Sequence, residues 1–217
     1  MNIVFGAKKS KAKCNESDDD ADEESEIYRE NNHVYFYSEI NRKKIQTLVK
    51  LLKEAEEYCI ITSHKLSVGT IPIFLHISSL GGYIYSALIA VDVIQNCSIP
   101  VHSIVEGSVA SAATLISIVC KKRYMLPNSH MMIHQLSSEM FGKMNELTDE
   151  YTNLTDTMNL LKTMYMKYAG FSKKKLEKLL SHDLMLNSKK AMKYKLVDEL
   201  YVNSKSVNMS SSQMDEV

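Results

Sequence analysis

From residue 34 to residue 202 the chain alternates short apolar runs with segments whose apolar residues recur every three or four positions. No other feature narrows the fold as much. Val34-Tyr35-Phe36-Tyr37 reads as a strand, after which Ile45, Leu48, Val49, Leu52 and Ala55 share one face of a helix. Residues 71–77 form a second apolar strand that runs into Ser78-Ser79-Leu80-Gly81-Gly82. A helix with Ala87, Leu88, Val91 and Ile94 inward follows and ends near Asn96, before Pro100. Residues 101–105 (strand), 111–119 (helix), 124–126 and 131–133 (strands) continue the order. Parallel strands need long crossover connections, and helices filling those crossovers cover the sheet. The expected class is therefore α/β with a mainly parallel core sheet and covering helices.

Between 143 and 168, Leu147, Tyr151, Leu154, Met158, Leu161 and Tyr165 fall at helical steps. That pattern predicts one long amphipathic helix, which protrudes or packs against a neighbouring subunit. Shorter helices at 173–180 and 188–194 and a last strand at 199–202 complete a single domain spanning 31–203. The ends differ in character. Lys8, Lys9, Lys11 and Lys13 precede an acidic block from Glu16 to Glu26, which repels itself and buries nothing. A disordered charged tail is expected over 1–30, and a flexible Ser- and Asn-rich tail over 204–217.

Lysine plus arginine and aspartate plus glutamate both number 26, so no basic field favours nucleic acid or a membrane surface. No window reaches the roughly 18–20 apolar residues of a membrane span. The lysine-containing start lacks an apolar stretch of signal-peptide length. A cytoplasmic protein without nucleic-acid or membrane partners is expected. Cys14, Cys59, Cys97 and Cys120 lie far apart with no C-x-x-C pair, which argues for reduced thiols and against both zinc ligation and a disulfide framework.

Two strand-to-helix turns could carry chemistry. Gly81-Gly82 permits positive φ and outward backbone N–H groups, though a Gly pair alone also serves as a plain tight turn. It is neither a phosphate loop nor G-x-G-x-x-G, so nucleotide binding is disfavoured. In Gly107-Ser108-Val109-Ala110-Ser111-Ala112-Ala113 a serine sits among small residues where a strand gives way to a helix. Small neighbours leave its hydroxyl open, and the helix N-terminus favours developing negative charge. An N-cap serine would look the same. A serine nucleophile needs a base. His134, closing Met131-Met132-Ile133-His134, is the candidate, with His102, His130 and His182 as competitors. Spacing leaves the orienting acid open among Asp149, Asp156, Asp183 and Asp198.

Together, these segments resemble the ClpP peptidase family over about residues 31–202. Leu75-His76-Ile77-Ser78-Ser79-Leu80-Gly81-Gly82 is similar to that family's strand and Ser-Pro-Gly-Gly turn, and residues 107–112 to its nucleophile segment. Leu126-Pro127-Asn128-Ser129-His130-Met131-Met132-Ile133-His134-Gln135 is the longest match, and Leu196-Val197-Asp198 matches the family's closing Gly-Leu-Val-Asp with Lys195 in place of the glycine. The resemblance implies a ClpP/crotonase-type fold with a protruding handle helix. It implies Ser111 as nucleophile, His134 as base, Asp183 as orienting acid, and an oxyanion hole from the N–H groups of Gly82 and Ala112. It further implies a serine endopeptidase acting on peptides or unfolded proteins through an acyl-enzyme, without metal or cofactor. The assembly implied is a homo-oligomeric heptameric ring, commonly stacked in pairs, served by an AAA+ ATPase unfoldase. A non-catalytic ring subunit and an ATPase-free processing protease of viral or phage type are the alternatives. The sequence departs from the family elsewhere too, and two residues are missing between Ser111 and Arg123. Leu136-Ser137-Ser138 replaces a proline and glycine pair, His182 replaces an arginine that couples rings, and His76, Asn96 and Glu106 replace apolar positions in the ATPase pocket. A carboxylate there carries a desolvation penalty, so weakened or re-specified docking is expected.

Overall fold

The computed structural model describes residues 26–202. Its sheet begins with a hairpin, β1 (Ile27–Glu30) and β2 (His33–Phe36), turned at Asn31 with φ 55°. The hairpin lies partly inside the segment expected to be tail. Tyr28 stacks on Tyr35 with centroids 4.4 Å apart, and Ile27 enters the core, so these residues bury enough to join the sheet despite their acidic neighbours. The remaining tail assignments, before residue 26 and over 204–217, lie outside the described residues.

Helix α1 (Arg42–Leu66) follows, capped by Asn41, whose side chain accepts from the Lys44 N–H. Its face of Ile45, Leu48, Leu52, Ala55 and Cys59 is buried. Strand β3 (Ile73–Ser79), helix α2 (Ile84–Gln95) and strand β4 (Val101–Ala110) make the central crossover. Then come α3 (Ala112–Ile118), β5 (Lys122–Met125) and β6 (His130–Met132). The handle helix α4 spans Met144–Ala169, α5 spans Lys173–Leu180, and β7 (Leu186–Asn187), α6 (Ser188–Lys193) and β8 (Glu199–Leu200) close the domain. The fold is the expected α/β class, with β2, β3, β4, β5 and β8 parallel and ordered β1-β2-β3-β4-β5-β8.

The feature that builds the site is the length of β4. Its first half pairs with β5 (His102↔Lys122 to Val105↔Met125), whereas its second half pairs with β6 (Ser108↔His130 to Ala110↔Met132). The short β7, which the sequence does not announce, joins β6 antiparallel. Between the two halves Gly107 takes φ 54°, and the pairing with β3 shifts register between Ile77 and Ser79. The strand thereby forks away from β5 and delivers its C-terminal end to β6. Asp198 fastens the other side: both its carboxylate oxygens bond the Arg123 guanidinium, and Oδ2 also accepts the Arg123 backbone N–H at 2.9 Å.

Helix α4 packs mainly by its C-terminal half, through Thr157, Leu161, Met164, Tyr165 and Ala169. Its start and the loop before it lie open, with Phe141, Met144 and Tyr151 exposed. Among the described residues no helix is long and apolar enough to cross a membrane.

Candidate active site

Ser111 stands where β4 ends and α3 begins, with φ 60° and ψ −131°. This backbone region is costly for any residue with a side chain. Three contacts hold it. The Ser111 N–H donates to the Met132 carbonyl at 2.8 Å, and the Ser111 carbonyl accepts from the Thr114 N–H at 3.0 Å and Thr114 Oγ1 at 2.6 Å. Ser111 occupies the N-cap position, yet its hydroxyl makes no capping bond, and Oγ is buried without a hydrogen-bond partner. A serine serving only as a cap would spend its hydroxyl on the helix.

The Gly81-Gly82 turn leans against it. A Cβ on Gly81 (φ 97°) would lie 2.7 Å from Ser111 Cβ, 2.9 Å from the Ala110 carbonyl oxygen and 3.0 Å from Ser111 Oγ. Gly82 bridges to Ile40: Ile40 N–H donates to the Gly81 carbonyl and Tyr83 N–H to the Ile40 carbonyl, both at 2.8 Å. Parallel pairing of this kind leaves the N–H of Gly82 itself on the side away from Ile40. Ala112, first residue of α3, carries an N–H that no intrahelical carbonyl can accept.

His134 follows β6 and is buried. Its Nδ1 lies 3.5 Å from Oδ1 of Asp183, an exposed carboxylate between α5 and β7. Burial pushes the imidazole below its ordinary value, and the Asp183 charge pulls it partly back. The competing groups are engaged elsewhere or stand in solvent. His102 packs edge-on to Phe74 across β3 and β4, His130 and His182 are exposed, Asp198 holds Arg123, and Asp149 and Asp156 lie on the exposed face of α4. Of the four carboxylates that spacing left open, Asp183 is the one facing His134.

A cavity of about 300 Å³ opens between residues 135–138, just after His134 in the chain, and α4, lined by Leu136, Leu154, Met158, Asn159 and Lys162 among others. No group of three His, Cys, Asp or Glu side chains able to hold a metal ion occurs among the described residues. Burial drives the Cys97 thiol up to about 11 and Cys120 up to about 12, so neither supplies a thiolate near neutrality.

The polar replacements on β3 and β4 form a network. Glu106 accepts from the Tyr37 hydroxyl and from His76 Nδ1 at 2.7 Å, and His76 Nε2 lies 2.9 Å from His33 Nδ1. With both rings neutral, the Glu106 bond places the proton on His76 Nδ1 and leaves Nε2 to accept from His33 Nδ1–H. Burial pushes the Glu106 carboxyl up, but the His76 and Tyr37 bonds outweigh it and hold it below its ordinary value. Asn96, by contrast, bonds its side chain to the Asp92 carbonyl at the end of α2.

An α/β sheet that presents a strained serine beside a glycine turn, with a His–Asp pair at the next strand end, has the arrangement of a serine hydrolase. The profile of the Clp protease family matches residues 18–204. Named relatives agree. The ATP-dependent Clp protease proteolytic subunit 2 of Treponema denticola is 28% identical over 209 residues, 95% of this chain and 98% of its own length. The subunit 2 of Pseudomonas aeruginosa is 28% identical over 145 residues, covering 66% of this chain and 72% of its own. Among solved structures, a ClpP1 mutant from Listeria monocytogenes superposes with a TM-score of 0.69 at 25% identity, over 82% of this chain and 95% of that one. The chain belongs to the Clp protease family, a family of serine peptidases.

Three contributors carried little sequence signal. Gly81 stood in a motif, but its crowding against Ser111 is visible only in space. Thr114 and Tyr165, which meet at 2.6 Å beneath Ser111, lie 51 positions apart and fall in no motif.

Proposed function

We propose that the chain is a serine endopeptidase that cleaves peptides and unfolded proteins through an acyl-enzyme on Ser111. His134 takes the Ser111 proton as Oγ attacks the scissile carbonyl, then returns it to the leaving amine. Asp183 orients the imidazole and stabilises its charged form. The N–H groups of Gly82 and Ala112 receive the oxyanion, with the α3 N-terminus adding its dipole. The cavity between residues 135–138 and α4 takes a substrate side chain, mainly against Leu136, Leu154 and Met158. The observation that carries this reading is the Ser111 backbone, held at φ 60° with its hydroxyl free of any cap. Residues held in such conformations cluster at active sites, and a demand on the hydroxyl accounts for maintaining this one.

The relatives' names support assembly as the proteolytic subunit of an ATP-dependent protease. On that basis the chain works in the cytoplasm as a ring, with the exposed half of α4 at a subunit contact and substrate delivered by an AAA+ ATPase. The Glu106–His76–His33 network favours a second reading on this last point. Its carboxylate is compensated, so a polar surface stands stably where the family pattern has an apolar pocket, and the peptidase works with an altered ATPase or none.

A fluorophosphonate probe with mass mapping tests the chemistry. Labelling of Ser111, lost in Ser111→Ala and sharply reduced in His134→Ala, is expected. An assembled protein that takes no label contradicts the proposal.

A further inference from the structure

The peptide that follows Ser111 is held at its carbonyl oxygen. Both hydrogen bonds to the Ser111 carbonyl come from Thr114, the backbone N–H at 3.0 Å and Oγ1 at 2.6 Å. Thr114 Oγ1 also lies 2.6 Å from the Tyr165 hydroxyl on α4. The Thr114 hydroxyl proton is committed to Ser111, so Tyr165 donates in the second bond. Ser111, Thr114 and Tyr165 are each 0% exposed, and water cannot replace any of these bonds.

Threonines often bond back along a helix, as Thr148, Thr152, Thr155, Thr157 and Thr163 do in α4. Thr114 differs in two respects. Its acceptor belongs to a residue in a strained conformation, and its own oxygen is bonded by a side chain from a different helix. The consequence reaches the chemistry through the geometry of the amide. The Ser111–Ala112 peptide is planar and trans, so fixing the Ser111 oxygen on one side aims the Ala112 N–H to the other. One rigid plane thus carries the nucleophile's backbone at one end and an oxyanion donor at the other.

We propose that Thr114 and Tyr165 are positioning residues for acyl transfer. Tyr165 orients the Thr114 hydroxyl, and Thr114 locks the Ser111–Ala112 plane so that Oγ and the Ala112 N–H converge on the same carbonyl. The pair also ties the seating of α4 to the reactivity of Ser111. This rests on Ser111 being the nucleophile. Neither side chain touches substrate, and the oxyanion exists only after attack, so the loss falls on kcat and leaves KM in place.

The test compares the full-length parent with Thr114→Val, Thr114→Ser and Tyr165→Phe. The rate of Ser111 acylation by a fluorophosphonate is followed by intact mass, and kcat and KM are measured on a fluorogenic peptide. Thr114→Val should acylate about tenfold more slowly, the weight of one hydrogen bond to a buried acceptor. Its KM should stay within about twofold, because ground-state binding does not use the bond. Thr114→Ser should restore the rate, since it keeps the hydroxyl, and Tyr165→Phe should fall between. The double variant Thr114→Val with Tyr165→Phe should be no slower than Thr114→Val alone, because Tyr165 acts through Thr114. Acylation at the parent rate in Thr114→Val, or failure of Thr114→Ser to recover it, overturns the proposal. Should Thr114→Val not fold, a parent rate in Tyr165→Phe overturns it equally. A parent protein that takes no label on Ser111 removes the nucleophile and the proposal together, an outcome distinct from equal rates in parent and variants.

Discussion

Replacing Gly81 by alanine adds one methyl group at the point where the glycine turn meets the nucleophile. That methyl would sit 2.7 Å from Ser111 Cβ and 2.9 Å from the Ala110 carbonyl oxygen, both well inside contact distance. Neither neighbour is the loose end of a flexible side chain, so the turn or the Ser111 backbone must move. The backbone conformation alone, at φ 97°, costs alanine about 1–2 kcal/mol. Overpacking a fully buried contact costs about 1–3 kcal/mol more. A loss of about 2–5 kcal/mol of stability is therefore expected, read as a lower urea midpoint with unchanged slope. A Ser111 shift of several tenths of an ångström also takes Oγ out of line with substrate, and peptide hydrolysis should fall by about a hundredfold. Gly170→Ala is the control. Gly170 caps α4 at φ 66°, but its added methyl meets nothing closer than the Lys195 Cδ at 4.0 Å. It should lose about 1–2 kcal/mol of stability while keeping parent kcat. Parent activity in Gly81→Ala would refute the crowding argument and remove this turn from the site.

Other consequences follow from the same geometry. A base acts only when neutral, so with His134 held below its ordinary 6.5 the acid limb of kcat/KM should lie below that value. Asp183→Asn deletes the upward pull on His134, so the limb should move further down in pH while the plateau falls at least about tenfold; an upward move would contradict the pairing. Lys195, where relatives were expected to carry glycine, takes φ 56° after α6, and Lys195→Gly should raise stability by about 0.5–1 kcal/mol in urea unfolding. Glu106→Leu strips the acceptor from the Tyr37 hydroxyl and His76 Nδ1, and should destabilise by about 1–3 kcal/mol rather than restore an apolar surface; a gain in stability would count against the network.

The order of elements was legible because crossovers between parallel strands leave a strong periodic mark. The ends of elements were not. The Ile27–Glu30 strand was hidden by its charged surroundings, since its stability comes from pairing with a strand three residues on. Strand β4 runs five residues past the expected 101–105, because Glu106, Gly107 and Ser108 read as polar turn while the register shift carries the pairing through them. At the site, the sequence singled out Ser111 and His134 as candidates but weighed the serine evenly against a cap; that its hydroxyl makes no cap bond at φ 60° is visible only in the fold. The desolvation penalty expected at Glu106 is present but offset by partners. Sequence shows the carboxylate but not the histidine and tyrosine, 30 and 69 positions away, that satisfy it.

A peptidyl chloromethyl ketone tests most directly whether Ser111 and His134 form one reacting centre. The reagent alkylates a catalytic imidazole efficiently only when a neighbouring serine first adds to its carbonyl. Stoichiometric alkylation mapped to His134 in the parent, falling at least about a hundredfold in Ser111→Ala, is the predicted result. Alkylation elsewhere, or at an equal rate in Ser111→Ala, would contradict it.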